Sequence, residues 1–170
     1  MNEIMKIFIT GKPGCGKSTL IGELIKLAEQ KGVAYCGILT PEMRKDGSRI
    51  GFKIVALPDG EEEILASIEL SYPKVSKYGV NVKGIDKIVG VVERNFSKAE
   101  VVFIDEIGKM EMFSEEFKKF LAKVLRSDKR VVATLNLALL NEFKNYGKLF
   151  FLTRENYEKV RKEILTHISL

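Results

Sequence analysis

The chain has no tryptophan, one histidine, two cysteines and four prolines in 170 residues, and each shortage removes a class of function. With His167 as the only histidine, neither a histidine-based metal centre nor a Ser/His triad can be assembled. Cys15 and Cys36 form no CxxC pair and no metal-spaced cluster, and they make no disulfide framework. No apolar run approaches the ~20 residues that a membrane span needs, which speaks against a membrane partner. Met1-Asn2-Glu3-Ile4-Met5-Lys6 is too short and polar for a signal peptide, so a reducing cytoplasmic setting is expected. Blocks of like charge are also missing. The 28 basic and 23 acidic residues are interspersed and leave a net charge of +5. That balance suits a small polyanion such as a nucleotide and gives little reason to expect nucleic acid. Repeats, low-complexity tracts and linkers are absent, so residues 1–170 read as a single domain able to bury a core without disulfides. Glutamine occurs once, at Gln30, and Lys and Glu dominate the charges, a composition that leans towards a thermophilic source. Nothing in the sequence speaks to oligomeric state.

What is present is concentrated in one stretch. Gly11-Lys12-Pro13-Gly14-Cys15-Gly16-Lys17-Ser18 lies between an apolar run, Met5 to Ile9, and an amphipathic run from about Thr19. It fits G-x-x-x-x-G-K-[ST] at every defined position, in the order strand, loop, helix. Three glycines allow the backbone to bend around a polyphosphate with successive N–H groups pointing at its oxygens. The following helix adds unpaired N–H groups and the positive end of its dipole. Lys17 supplies a full charge to the β- and γ-phosphates, and the Ser18 hydroxyl can ligate magnesium. A Gly/Lys-rich surface turn is the bland alternative, and the flanking strand and helix count against it.

Around this loop, periodicity predicts an α/β layered fold with a mostly parallel sheet. A first helix is expected from about Lys17 to Gln30, with Leu20, Ile21, Leu24, Leu27 and Ala28 on one face. Val33–Leu39 reads as a strand. Arg49–Leu57 alternates and is bracketed by Asp46-Gly47 and Pro58-Asp59-Gly60, with Glu62–Ala66 beyond. Such tight turns cannot make parallel crossovers, so this part reads as an antiparallel excursion from the parallel core. Ser67–Lys77 reads as loop, Tyr78–Val82 as a short strand and Ile85–Phe96 as a helix. A helix capped by Ser114 should follow the strand at Val101–Ile104. Arg130–Thr134 (strand), Leu137–Tyr146 (a weaker helix), Leu149–Leu152 (strand) and a helix capped by Thr153 and running to about His167 complete the prediction.

The second chemical signal is Asp105-Glu106, directly after the apolar run Val101–Ile104. A carboxylate at the C-terminal end of a parallel strand faces the ligand edge of an open α/β sheet, where Asp105 can hold magnesium. Glu106 beside it can take a proton from, or orient, a water attacking the γ-phosphate. Gly108 allows a backbone N–H to approach the same phosphate. A strand end that merely carries two acids is the alternative, weakened by the glycine loop upstream.

Gly11–Thr19, Thr40-Pro41-Glu42-Met43-Arg44, Arg49-Ile50-Gly51-Phe52, Tyr78-Gly79-Val80-Asn81-Val82 and above all Asp105-Glu106-Ile107-Gly108-Lys109-Met110-Glu111 resemble the thermophile-type nucleoside-triphosphatase family, whose vertebrate member is the cancer-related nucleoside-triphosphatase. The similarity runs in order along nearly the whole chain. It implies a three-layer P-loop fold of RecA/AAA type with an added β-hairpin region. It also implies slow magnesium-dependent hydrolysis of several nucleoside triphosphates, ATP and GTP among them, with little base selectivity. One stretch departs from the family. A basic His-Pro segment is frequent there after the strand that ends here at Thr134, whereas this chain has Asn136 to Phe143, so no role of that segment carries over.

Nucleotide contacts are thus expected from Gly11, Lys12, Pro13, Gly14, Cys15, Gly16, Lys17, Ser18 and Thr19, with Asp105, Glu106 and Gly108. Ser18 and Asp105 are the expected magnesium ligands. Catalysis is assigned to Glu106 and Lys17, with Arg44 as the first choice for a cation on the γ-phosphate and a solvated turn charge as its alternative. Lys109 and Glu111 suit an ion pair as well as a catalytic role. Thr134 suits phosphate sensing or a strand-end cap, and Thr153–Asn156 marks where a base could rest. Two other functions compete. A nucleotide or polynucleotide kinase would bring an arginine-rich lid, which is not found. A non-hydrolysing module associated with nucleic acid would have no need of Glu106.

Overall fold

The computed structural model describes residues 6–170, and there the chain forms a ten-stranded mixed sheet with helices on both faces. The Met5 end of the first predicted strand, and the N-terminal stretch Met1 to Met5, lie outside the described residues. Five strands form the parallel half: β1 (Lys6–Thr10), β2 (Tyr35–Leu39), β8 (Val101–Ile107), β9 (Arg130–Leu135) and β10 (Lys148–Phe151). They lie in the order β10-β1-β9-β8-β2, every neighbouring pair parallel. The antiparallel half starts where β4 (Ser48–Leu57) pairs with β2. It continues through β5 (Glu62–Ser67), β7 (Tyr78–Val80) and β6 (Lys74–Val75), with β3 (Glu42–Lys45) pairing β4 on the side. This excursion is larger than the predicted hairpin region.

The apolar runs explain the layering. Successive strand residues face opposite sides, so a strand buried on both faces needs a continuous apolar run. Ile7, Ile9, Val101, Phe103 and Val132 meet α1 (Lys17–Gln30) and α5 (Tyr157–Ile168) in one core. Phe8, Val102, Ile104, Val131 and Ala133 meet α2 (Val82–Phe96) and α3 (Glu115–Arg126) in the other. A short α4 (Leu140–Phe143) places Phe143 at the edge of that second core. No helix among the described residues is long and apolar enough to cross a membrane.

Several predicted boundaries are corrected. β3 is an unpredicted strand, joined to β4 by Asp46-Gly47 with both φ positive (52° and 78°), the hairpin-turn geometry that this dipeptide favours. The predicted loop Ser67–Lys77 contains β6. α2 starts at Val82, because the Asn81 side chain accepts the Gly84 N–H at 3.2 Å and caps it three residues early. The helix predicted over Leu137–Tyr146 is broken into 3-10 turns around the single turn of α4. Thr153 is not the cap of α5. Thr153 and Asn156 bond each other across a turn, the Thr153 N–H to Asn156 Oδ1 at 2.7 Å and the Asn156 N–H to Thr153 Oγ1 at 3.1 Å, and the helix begins at Tyr157. Ser114 does cap α3, accepting the Phe117 N–H at 3.0 Å, with Glu115 and Glu116 in the first turn.

Candidate active site

Because β1, β2, β8 and β9 run parallel, their C-terminal ends share one edge of the sheet. The loop after β1, Thr40 after β2, Asp105 and Glu106 on β8 and Asn136 after β9 all converge there. They line a cleft of about 950 Å³, within the range of small-molecule sites. β9 lies between β1 and β8 and is the strand that ties the two motifs together. Its Thr134, fully buried, donates to Asp105 Oδ1 at 2.7 Å. Thr40 Oγ1 donates to the Asp105 carbonyl at 2.8 Å. Asp105 is thereby fixed on two sides, and its second carboxylate oxygen is left for another partner.

The glycine loop has the expected shape. Gly14 and Gly16 adopt positive φ, 78° and 107°. Gly16 stands as the N-cap of α1 without a side-chain cap, so the first N–H groups of the helix have no side chain on them. Its φ of 107° favours glycine, and a Cβ there would also crowd the Tyr157 ring of α5 at 3.2 Å. Lys17 folds back over the loop, its Nζ donating to the Gly11 carbonyl at 2.8 Å and to the Lys12 carbonyl at 3.4 Å. Gly11, Pro13, Gly14, Gly16, Lys17, Ser18 and Thr19 line the cleft, while Lys12 and Cys15 contribute backbone and filling behind it.

Glu106 is half-buried in the same cleft. Burial first, and the Asp105 charge second, push its carboxyl up, while Lys17 and the Asn136 side chain pull it back towards the charged form. A carboxylate made more basic by burial, and set near a lysine, suits the role of a proton acceptor. Gly108 lies against it, a Cβ there meeting Glu106 Oε1 at 3.0 Å.

Other predicted residues fall elsewhere. Arg44 sits on β3, paired with Glu42 at 2.9 Å and with the Gly47 carbonyl at 3.0 Å, and it does not line the cleft. Arg49 does line it, held by Glu42 and by the Tyr78 hydroxyl. Two contributors were not singled out from the sequence. Asn136 supports Glu106, and its place directly after a parallel strand was the available signal. Arg154, within the turn where a base was expected to rest, reaches the loop and donates to the Gly14 carbonyl at 3.2 Å. No sequence signal links residues so far apart.

A sequence model of the NTPase family matches residues 6–165 of the chain. The chain belongs to this family of nucleoside-triphosphatase enzymes. It is 41% identical to nucleoside-triphosphatase THEP1 of Methanocaldococcus jannaschii, over 96% of this chain and 97% of that one. The crystal structure of THEP1 from Aquifex aeolicus superposes with a TM-score of 0.83 at 33% identity, covering 98% of this chain and all of the other. The solution structure of a human cancer-related nucleoside triphosphatase follows at 0.77 and 31%, covering 95% of each chain. The P-loop NTPase fold read from the sequence is thus the fold of the family.

Proposed function

We propose that the protein, acting as one unit over residues 1–170, hydrolyses nucleoside 5′-triphosphates to diphosphate and phosphate with magnesium, with Glu106 as the base that activates water. The observation that carries this reading is the placement of a half-buried carboxylate, made more basic by that burial, in one cleft with Lys17 and Asp105. In the reaction Lys17 leaves the Gly11 and Lys12 carbonyls for the β- and γ-phosphates. A water oxygen forms a bond to the γ-phosphorus while the bond to the β–γ bridging oxygen breaks, and the water proton passes to Glu106. Little base selectivity follows from a cleft that grips phosphates through backbone N–H groups and one lysine, features that every nucleoside triphosphate shares.

The Ser18 hydroxyl and the free oxygen of Asp105 fit magnesium. They are hard oxygen donors on the cleft wall, and magnesium commonly takes only one or two protein ligands alongside substrate phosphates. When bound, the ion would neutralise charge developing on the phosphate oxygens. Arg44 is a second source of positive charge, provided that it leaves Glu42. The two cysteines are free, which supports a reducing cytoplasmic setting.

Phosphate release measured across ATP, GTP, CTP and UTP, with and without magnesium, tests the proposal. Comparable metal-dependent rates support it, and no release from any triphosphate overturns it. Transfer to a second substrate is favoured only by the continuation of the cleft to Phe52 and Tyr78. Acceptor-dependent transfer much faster than phosphate release would put that reading first.

A further inference from the structure

Glu111 has no part in the mechanism above, yet it lies in the same cleft. The 3-10 turn Glu111–Phe113 directs its side chain inward, so that the residue is 3% exposed and still lines the cleft. Its Oε2 has no hydrogen-bond partner among the described residues. An unpaired buried polar atom carries a desolvation penalty that an apolar side chain of the same length would avoid. Gly108 shows where the group points. A Cβ on Gly108 would sit 2.8 Å from Glu111 Oε2 and 3.0 Å from Glu106 Oε1, so the two carboxyls flank one point with only a glycine beside them.

Two carboxylates so placed do not both ionise freely. Burial, and then the Glu106 charge, push the Glu111 carboxyl up to about 8. Lys17 and Asn136 act the other way on Glu106. Two carboxyls beside one glycine are satisfied by a proton between them, and the unpaired Glu111 Oε2 is the atom placed to carry it.

We propose that Glu111 is a positioning residue for hydrolysis, a neutral carboxyl whose O–H is donated towards Glu106 Oε1 and holds the Glu106 carboxylate in the orientation that receives the proton of the attacking water. The inference rests on Glu106 being the base. The bond closes as nucleotide and water order the cleft, since catalytic hydrogen bonds tighten when substrate binds. A carboxyl with a merely structural role leads to a different expectation: replacing it by an apolar side chain is neutral or stabilising and leaves the chemical step alone.

The test compares wild type, E106Q, E111Q, E111M and the double variant E106Q/E111M by single-turnover hydrolysis, magnesium–nucleotide affinity and thermal midpoint. Glu111→Met keeps the length and removes the donor, and Glu111→Gln keeps a donor. Glu111→Leu supplies a second apolar variant if Met prevents folding. The expected result is a fall of about 10²-fold in the chemical step of E111M, the loss that follows misplacement of a reacting group, with affinity and folding retained. E111Q should recover most of that loss. In the E106Q background E111M should add nothing, because both residues act through one group. An E111M rate within about threefold of wild type, an E111Q rate as low as that of E111M, or effects that multiply in the double variant would each overturn the proposal. If E106Q falls and E111M does not, only the Glu111 assignment is lost. If E106Q hydrolyses like wild type, the Glu106 reading and this inference are lost together.

Discussion

Replacing Glu111 by Gln should flatten the pH dependence of stability in the nucleotide-free protein. Burial, with the Glu106 charge second, pushes this carboxyl from 4.5 up to about 8. Between those values the unfolded chain has released the proton and the folded chain still holds it. The folded state then binds more protons, so stability falls as pH rises through the window. Below 4.5 both states are protonated and the penalty is absent; above 8 it is complete and levels off. The gap corresponds to on the order of 5 kcal/mol across the window, a ceiling because relaxation and water penetration reduce the cost of a buried charge. Glu106 contributes with the same sign, and Glu42, held down first by its hydrogen bond from Arg49, with the opposite sign. Glu42 is present in wild type and variant and its contribution cancels in the difference, whereas Glu106 is coupled to Glu111, so the difference reports the pair. Urea unfolding of the two proteins from about pH 4 to 9 measures it. The variant should gain several kcal/mol on wild type between the ends of the window. Curves that stay parallel within about 1 kcal/mol would show that Glu111 ionises like an exposed carboxylate and would refute the reasoning.

Three further variants address the phosphate edge. Lys17→Ala removes the charge assigned to the β- and γ-phosphates, and calorimetric titration should show weaker triphosphate binding with turnover abolished; hydrolysis at the wild-type rate would contradict the loop assignment. Asp105→Asn keeps an oxygen for the Thr134 hydroxyl and loses the charge, so the magnesium concentration needed for half-maximal rate should rise while metal-free nucleotide affinity holds. Gly16→Ala places a Cβ 3.2 Å from the Tyr157 ring at φ +107°. It should cost about 1–2 kcal/mol or more in strain and weaken nucleotide binding, which fluorescent-nucleotide titration would detect as a raised Kd.

The parts of the site that were legible in the sequence are contiguous. Gly11–Ser18 and Asp105-Glu106 each sit at the end of an apolar run, and a run buried on both faces announces a parallel strand whose C-terminal end carries the ligand edge. Periodicity assigns strands but not their neighbours. That β9 separates β1 from β8, and so brings Thr134 onto Asp105, follows only from the sheet order. Leu137, Leu140 and Phe143 have helical spacing, yet only Phe143 is buried, and one anchoring side chain is too little to hold a continuous helix. Thr153 and Asn156 are both good capping residues, and they satisfy each other instead of opening α5 early. Arg44 is the cation the sequence favours, yet the two strands place its cross-strand partner Arg49 against Tyr78 in the cleft and leave Arg44 on the outer strand.

The central claim is that Glu106 takes the proton of the attacking water, and Glu106→Gln tests it most directly. Glutamine keeps the size and the hydrogen-bonding reach of the side chain and cannot act as that base. Single-turnover hydrolysis and magnesium–triphosphate affinity are measured on one preparation. The account predicts a chemical step slowed by on the order of 10²–10⁴-fold, the usual contribution of general-base catalysis, with nucleotide bound as well as or better than in wild type. A chemical step slowed by less than about threefold in a folded, nucleotide-binding variant would contradict it.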